Sequence, residues 1–213
     1  MTVTKLFWQD PYQAKLHTQV SGVSGADVTL NETIFYTFAG GQEADIGKIG
    51  RYDVLASRSD GFEIIYTLPD NHALQVGDAI EVAINWERRY RLMRLHFAAE
   101  IILELMYQHY GPIEKIGAHI SEDKSRIDFA YPESVKSLLP DLLQKATELI
   151  TADHPITSAF SDEVQQRRYW AIDGFAQVAC GGTHIKRTSE VGTINLKRKN
   201  IGKGKERIEI YLA

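Results

Sequence analysis

Cysteine is almost absent from this chain, with Cys180 the only one in 213 residues. No intrachain disulfide can form, and a lone thiol fits a reducing compartment, so a cytoplasmic location is expected. Long apolar runs are missing too. None approaches the roughly 18 residues that a membrane span needs. The first ten residues hold no basic stretch leading into an apolar one, so no signal peptide is expected. Internal repeats and low-complexity segments are lacking, which argues against solenoid and disordered classes. A strong excess of charge is also absent: the net value is −4. The overall field therefore does not point to nucleic acid. What is present is 44% hydrophobic and 24% charged residues, enough for the core of an ordinary globular protein.

The charge is unevenly spread. Between Lys186 and Ala213 stand eight basic side chains (Lys186, Arg187, Lys197, Arg198, Lys199, Lys203, Lys205 and Arg207) against three acids, Glu190, Glu206 and Glu209. A local basic surface on an otherwise acidic chain can hold a phosphate backbone. The same segment is also compatible with a solvated strand face.

Residues 1 to about 85 read as β-rich. Lys15–Val23, Thr33–Phe38, Phe62–Thr67 and Ala79–Asn85 are short runs with β-branched and aromatic content. Asp60-Gly61 is a hairpin signal, and Pro69-Asp70-Asn71 marks a second turn. From Glu87 to Tyr110 there is neither proline nor glycine, and strong helix formers dominate. Leu92, Leu95, Ala99, Ile102 and Met106 recur at spacings of three and four, which predicts one apolar face. Gly111-Pro112 should end that helix. Ile127–Phe129 is a short strand candidate. A second helical stretch runs from about Pro132 to Ala152, with Val135, Leu138, Leu142, Ala146 and Leu149 on one face and Pro140 expected to break or kink it. Gly192–Leu196 and Arg207–Leu212 return to strand patterns around a Gly202-Lys203-Gly204 turn. The expected class is α+β, with the many short strands before residue 85 suggesting a small barrel or sandwich and a domain boundary drawn near residue 85.

The chemistry-bearing residues fall in two places. On the long helix His96 and Glu100 are four apart, so both side chains share a face. Later comes Cys180-Gly-Gly-Thr-His184, whose glycines suit a tight turn bringing its two ends to one place. Together these supply one thiol, two imidazoles and a carboxylate, all zinc-ligand types. Each half alone also has a plain structural reading, as a helix-surface pair and as a buried small cysteine.

Three segments resemble the alanyl-tRNA synthetase editing domain and its freestanding relatives, the AlaX-type editing proteins. The first is Thr33-Ile-Phe-Tyr-Thr-Phe-Ala-Gly-Gly-Gln42 with Asp45-Ile-Gly47, similar to the family's glycine-rich loop ending in glutamine. The second is Trp86-Glu-Arg-Arg-Tyr-Arg-Leu-Met-Arg-Leu-His96-Phe-Ala-Ala-Glu100, similar to the arginine-rich lead into the family's His-x-x-x-His helix. The third is Cys180-Gly-Gly-Thr-His184, then Thr188-Ser-Glu-Val-Gly192 and Lys205-Glu-Arg-Ile208, similar to the family's Cys-x-x-x-His turn and following strands. This chain departs from the pattern at Glu100, where the family has its second helix histidine. It also has Phe97 in place of a common threonine, Ala39 for a third glycine, and Thr37-Phe38 for proline-glutamate.

The resemblance implies an α+β fold, with a small β-barrel over residues 1–85 followed by an editing domain over residues 86–213, an antiparallel sheet covered by helices. It also implies hydrolysis of mischarged tRNA(Ala) carrying serine or glycine, at the ester joining the amino acid to the terminal ribose. It implies zinc held by His96, Cys180 and His184, with Glu100 as a fourth ligand or as a base beside the metal, and Gln42 as a residue that binds substrate. Two other readings stay open: a relative of the same fold that binds RNA without hydrolysing it, and a protein with a purely structural zinc site.

Overall fold

A computed structural model describes residues 2–111 and 113–213. Pro112, read above as part of the helix stop, lies outside the described residues. Among the described residues the architecture is α+β, with mostly antiparallel sheets and two α-helices. Contacts divide the chain into two compact units, residues 1–39 with 43–90, and residues 40–42 with 91–213.

The first unit carries β1 (Thr4–Lys5), β2 (Lys15–Ser24), β3 (Asp27–Leu30), β4 (Glu32–Thr33), β5 (Gly47–Ile49), β6 (Tyr52–Asp53), β7 (Ala56–Asp60), β8 (Glu63–Thr67) and β9 (Ala79–Ile84). Seven of these make one sheet in the order β6-β5-β9-β2-β3-β8-β7. The long strand β2 holds it together: Lys15–Gln19 pairs with β9 and Val20–Ser24 with β3. The register shifts at Gly22, where a Cβ would lie 2.7 Å from Thr29 Oγ1. The β7–β8 hairpin forms where Asp60-Gly61 predicts it, with Asp60 opposite Glu63 and Gly61 at φ +58°. Val20, Val28, Leu30, Ile49, Ile64, Tyr66 and Val82 fill the interior.

The run Thr33–Phe38 is not the strand its composition predicts. Only Glu32–Thr33 is strand, and Ile34, Phe35 and Tyr36 are buried without a ladder. Side chains satisfy the backbone instead, as buried polar groups require. Arg89 Nη2 donates to the Ile34 carbonyl (2.6 Å), Tyr66 Oη to the Phe35 carbonyl (3.2 Å), and the Tyr36 amide to Asp45 Oδ2 (2.7 Å). Arg89 and Asp45 form a two-pronged ion pair with side-chain exposures of 0% and 1%. Arg89 also donates to the Pro11 carbonyl at 3.0 Å.

Helix α1 (Trp86–Tyr110) is capped by Asn85, whose Oδ1 accepts from the Arg88 amide at 3.0 Å. Gly111 follows at φ +85°. The predicted apolar face is buried, but so are Met93, His96, Phe97, Ala98, Ile101, Leu103 and Leu105. The helix is wrapped rather than amphipathic, which the regular spacing of one face alone could not reveal.

The second unit continues with β10 (Glu114–Ile120), β11 (Ser125–Ala130), α2 (Leu139–Thr151), β12 (Thr157–Asp162), β13 (Arg167–Ile172), β14 (Ala176–Ala179), β15 (Ile194–Gly202) and β16 (Lys205–Leu212). They build an antiparallel sheet β10-β11-β16-β15 and a second one, β12-β13-β14. Leu92 and Leu95 of α1 pack on Ile120 of the larger sheet. Pro140 does not kink α2. It sits in the first turn, where its missing N–H costs nothing, and a separate 3-10 turn covers Val135–Ser137. The last hairpin turns at Lys203-Gly204, inside the predicted loop. Among the described residues, no helix is long and apolar enough to cross a membrane.

Removing Asp45 should leave the Arg89 charge buried without its counter-ion and the Tyr36 amide without its acceptor. Asp45→Ala is expected to lower unfolding free energy by about 3–5 kcal/mol, measured by urea denaturation. A loss under about 1 kcal/mol would show that the pair does not support this segment.

Candidate metal centre

Five segments of the second unit converge on one buried spot. Helix α1 supplies His96 and Glu100 on one face. The segment after β14 supplies Cys180 and His184, and the glycine-rich loop supplies Gln42. Strands β12 and β13 add Ser158 and Trp170, which the sequence did not single out. All five predicted site residues meet here.

The donor atoms lie close to one another. Cys180 Sγ lies 3.3 Å from His184 Nε2, 3.5 Å from His96 Nε2 and 3.8 Å from Glu100 Oε1. His96 Nε2 and Glu100 Oε1 are 3.2 Å apart. The ligand atoms of His96, Cys180 and His184 all lie within 4.8 Å of one another. A tetrahedron with metal–ligand lengths of about 2.0–2.3 Å has edges of about 3.3–3.6 Å. The thiol and two imidazoles of His96, Cys180 and His184 therefore form a group that could hold a metal ion, with Glu100 Oε1 beside two of them.

Each donor is oriented from behind. Gln42, only 1% exposed, accepts at Oε1 from the Thr183 amide (3.2 Å) and meets His96 Nδ1 there at 2.8 Å. Its Nε2 donates to Thr183 Oγ1 at 2.8 Å. An amide oxygen can only accept, so the His96 proton sits on Nδ1 and Nε2 is left for the cluster. Ser158 Oγ lies 3.0 Å from His184 Nδ1, which likewise turns Nε2 toward Cys180. Trp170 Nε1 donates to Glu100 Oε2 at 3.0 Å.

Charge follows the same arrangement. Burial opposes protonation of His96, but the Cys180 sulfur and Glu100 raise it well above the ordinary imidazole range. Burial would push Glu100 up, yet its bonds to His96 and Trp170 hold it well below the ordinary carboxylate range. Burial, reinforced by the charge on His96, lowers His184 far below the ordinary range and keeps it neutral.

The glycines act differently from the tight turn expected of them. Neither Gly181 nor Gly182 has positive φ. Gly182 is needed for space: a Cβ there would stand 2.1 Å from His96 Cε1 and 3.0 Å from Gln42 Oε1, whereas one at Gly181 would meet nothing within 4 Å. In the loop before Gln42, Gly40 and Gly41 do take left-handed φ, at +60° and +89°. Gly41 also passes 2.8 Å, measured from an ideal Cβ, from the Ala118 carbonyl. The Gln42 backbone bridges to Ile120 at the end of β10.

The arginines leading into His96 prove to be structural. Arg91 donates to the Glu122 carbonyl (2.9 Å) and Arg94 to the Val191 carbonyl (2.9 Å), while Arg88 and Arg89 bind Glu43 and Asp45 in the first unit. After His184, Glu190 Oε1 accepts from the Lys186 and Arg187 amides (3.0 Å each), and the buried Thr188 hydroxyl donates to the Leu149 carbonyl of α2 at 2.9 Å.

The chain is similar to known proteins, in part to a family model and over nearly its whole length to individual relatives. Residues 171–209, which include Cys180 and His184, match the family described as threonyl and alanyl tRNA synthetase second additional domain. The alanyl-tRNA editing protein AlaX-M of Pyrococcus horikoshii is 30% identical over 98% of this chain and 97% of its own length. The AlaX-M protein of Methanosarcina acetivorans is 30% identical over 97% of this chain and 98% of its own length. The alanine–tRNA ligase of Methanococcus maripaludis is 29% identical over 96% of this chain, matching 25% of that longer enzyme.

The two adjacent glycines give a paired test of the site. Gly182→Ala should displace His96 and Gln42 and lower bound zinc at least about tenfold, while Gly181→Ala should leave it unchanged. Zinc content of the two purified variants decides it, and equal occupancy would remove the steric role of Gly182.

Proposed function

Since the chain belongs to the family of the alanyl-tRNA editing proteins, we propose that it hydrolyses the ester of tRNA(Ala) mischarged with serine or glycine, at a zinc site held by His96, Cys180 and His184. The observation that carries this reading is the convergence of Sγ, two Nε2 atoms and Oε1 at 3.2–3.8 Å.

Zinc held by His96, Cys180 and His184 would polarise the ester carbonyl and lower the pKa of a bound water to about 7; that chemistry needs an open coordination position, so water or substrate would have to displace Glu100 or add to the four donors. The chain's own side chains divide the remaining work. Gln42 holds His96 by its Nδ1 and, with both ends of its amide engaged by His96 and Thr183, acts through that histidine rather than as a direct substrate ligand. Ser158 orients His184 in the same way. Glu100 presents Oε1 to the cluster as the fourth donor. Its position four residues from His96 on α1 supports that role over that of a free base. An anionic oxygen in place of a neutral imidazole makes the site less positive.

The seven-stranded sheet of the first unit would serve as the small β-barrel expected over residues 1–85, and residues 86–213 as the editing domain. The chain would work in the cytoplasm on charged tRNA. Lys197 and Lys199 of β15 share one sheet face, across from Glu209 and Arg207. Both lysines are exposed, so we assign them to tRNA phosphates. Arg198 points to the other face, bonded through two nitrogens to Glu206 at 2.6 Å each, and is committed to the fold.

Cys180→Ser should lose most zinc and most release of serine from Ser-tRNA(Ala) together. Zinc retained with activity lost would point to Cys180 as a nucleophile. Tight tRNA binding without release by the wild-type protein would favour the non-hydrolytic relative, and zinc without tRNA binding a structural site. Lys197→Glu with Lys199→Glu should weaken tRNA binding and reduce the slope of log affinity against log salt by about two. An unchanged slope would take this face out of the interface.

A further inference from the structure

We propose that Trp170 is a positioning residue that matches the cluster to a carboxylate at position 100, by holding Oε2 of Glu100 so that Oε1 is the oxygen turned to His96 and Cys180. The inference rests on the metal-site reading above and adds the reason why this chain's fourth donor is a carboxylate.

Trp170 lies on β13 and is fully buried, at 0% exposure. Its ring is fixed on two sides, edge-on to Phe97 at 5.1 Å and stacked on Phe175 at 6.5 Å. Nε1 donates to Glu100 Oε2 at 3.0 Å. An indole N–H can only donate, so a buried one requires an acceptor. A carboxylate has two acceptor oxygens and can divide them. Here Oε2 takes the indole proton, while Oε1 lies 3.2 Å from His96 Nε2 and 3.8 Å from Cys180 Sγ.

An imidazole at position 100 cannot divide itself in this way. With one nitrogen turned to a metal, it carries its proton on the other. Two donors then face the same role, and the Trp170 N–H is left buried without a partner. Glu100 and Trp170 thus form one unit, and Glu100→His alone does not yield a third good imidazole ligand.

The test is a double-mutant cycle on the full chain, comparing wild type, Glu100→His, Trp170→Phe and the double variant. Zinc affinity is read by competition with a chromogenic chelator. Glu100→His should bind zinc on the order of tenfold more weakly than wild type. Adding Trp170→Phe, which removes the donor but keeps an aromatic ring, should recover most of that loss. Glu100→His binding as tightly as wild type would overturn the proposal, as would Trp170→Phe having the same effect in both backgrounds. A second readout needs no change at Trp170: its indole N–H resonance in the 15N-labelled protein. This signal should be protected from exchange, move on zinc addition, and lose its shift and protection in Glu100→Ala. A resonance unaltered by Glu100→Ala would overturn the proposal even if the Phe variant fails to fold. Wild-type protein that takes up no zinc at all would sink the metal reading instead, leaving the indole–carboxylate bond to be judged by the resonance.

Discussion

The second unit is organised around the difficulty of burying an imidazole, a carboxylate and a thiol side by side. Any one of these charged and alone in the interior would be costly. Together they compensate. Glu100 and Cys180 hold His96 protonated, His96 holds Glu100 ionised, and the charge on His96 helps keep His184 neutral. The atoms that surround the His96 proton are also atoms that could hold a metal ion.

That arrangement holds only because the surroundings are equally specific. The partners behind the donors are neutral: Gln42 for His96, Ser158 for His184 and Trp170 for Glu100. These three add no charge of their own; beyond the donors, the buried Arg168 guanidinium of β13 acts on Cys180 and helps keep His184 neutral. Each of the three neutral partners comes from a different segment: the glycine-rich loop, β12 and β13. Gly182 is the place where this packing has no slack, since His96 occupies the volume of its missing side chain.

The arginines show the same economy of space in the backbone. Arg89 and Asp45 replace a strand ladder for Ile34–Tyr36, while Arg91 and Arg94 satisfy carbonyls at Glu122 and Val191. Basic residues on a helix before a metal motif suggest an RNA contact by composition. Here they anchor loops, while Lys197 and Lys199 of β15 remain exposed. Part of the basic carboxy-terminal surplus is likewise internal: Arg187 meets Asp153, Arg198 meets Glu206, and Arg207 meets Asp128.

Sequence alone determined the parts that depend on local periodicity and side-chain type. Helix α1, the Asp60-Gly61 hairpin, the closing β15–β16 pair and the ligand types at 96, 100, 180 and 184 are all legible there, because spacing and donor chemistry are local properties. Strands β12–β14 were not legible. Their inward positions on β13 are Arg168, Trp170 and Ile172, and a buried arginine erases the alternation that marks a strand. Ser158 and Trp170 were invisible as site residues for the same reason, since neither type nor spacing links them to His184 or Glu100. Pro140 and the wrapped surface of α1 depended on where neighbouring elements lie. Which oxygen of Glu100 faces the cluster, which nitrogen of His96 is free, and why position 182 must be glycine were decided by tertiary structure alone. Each is set by an atom from a distant segment occupying a volume or offering a lone pair, and chain order carries no record of that.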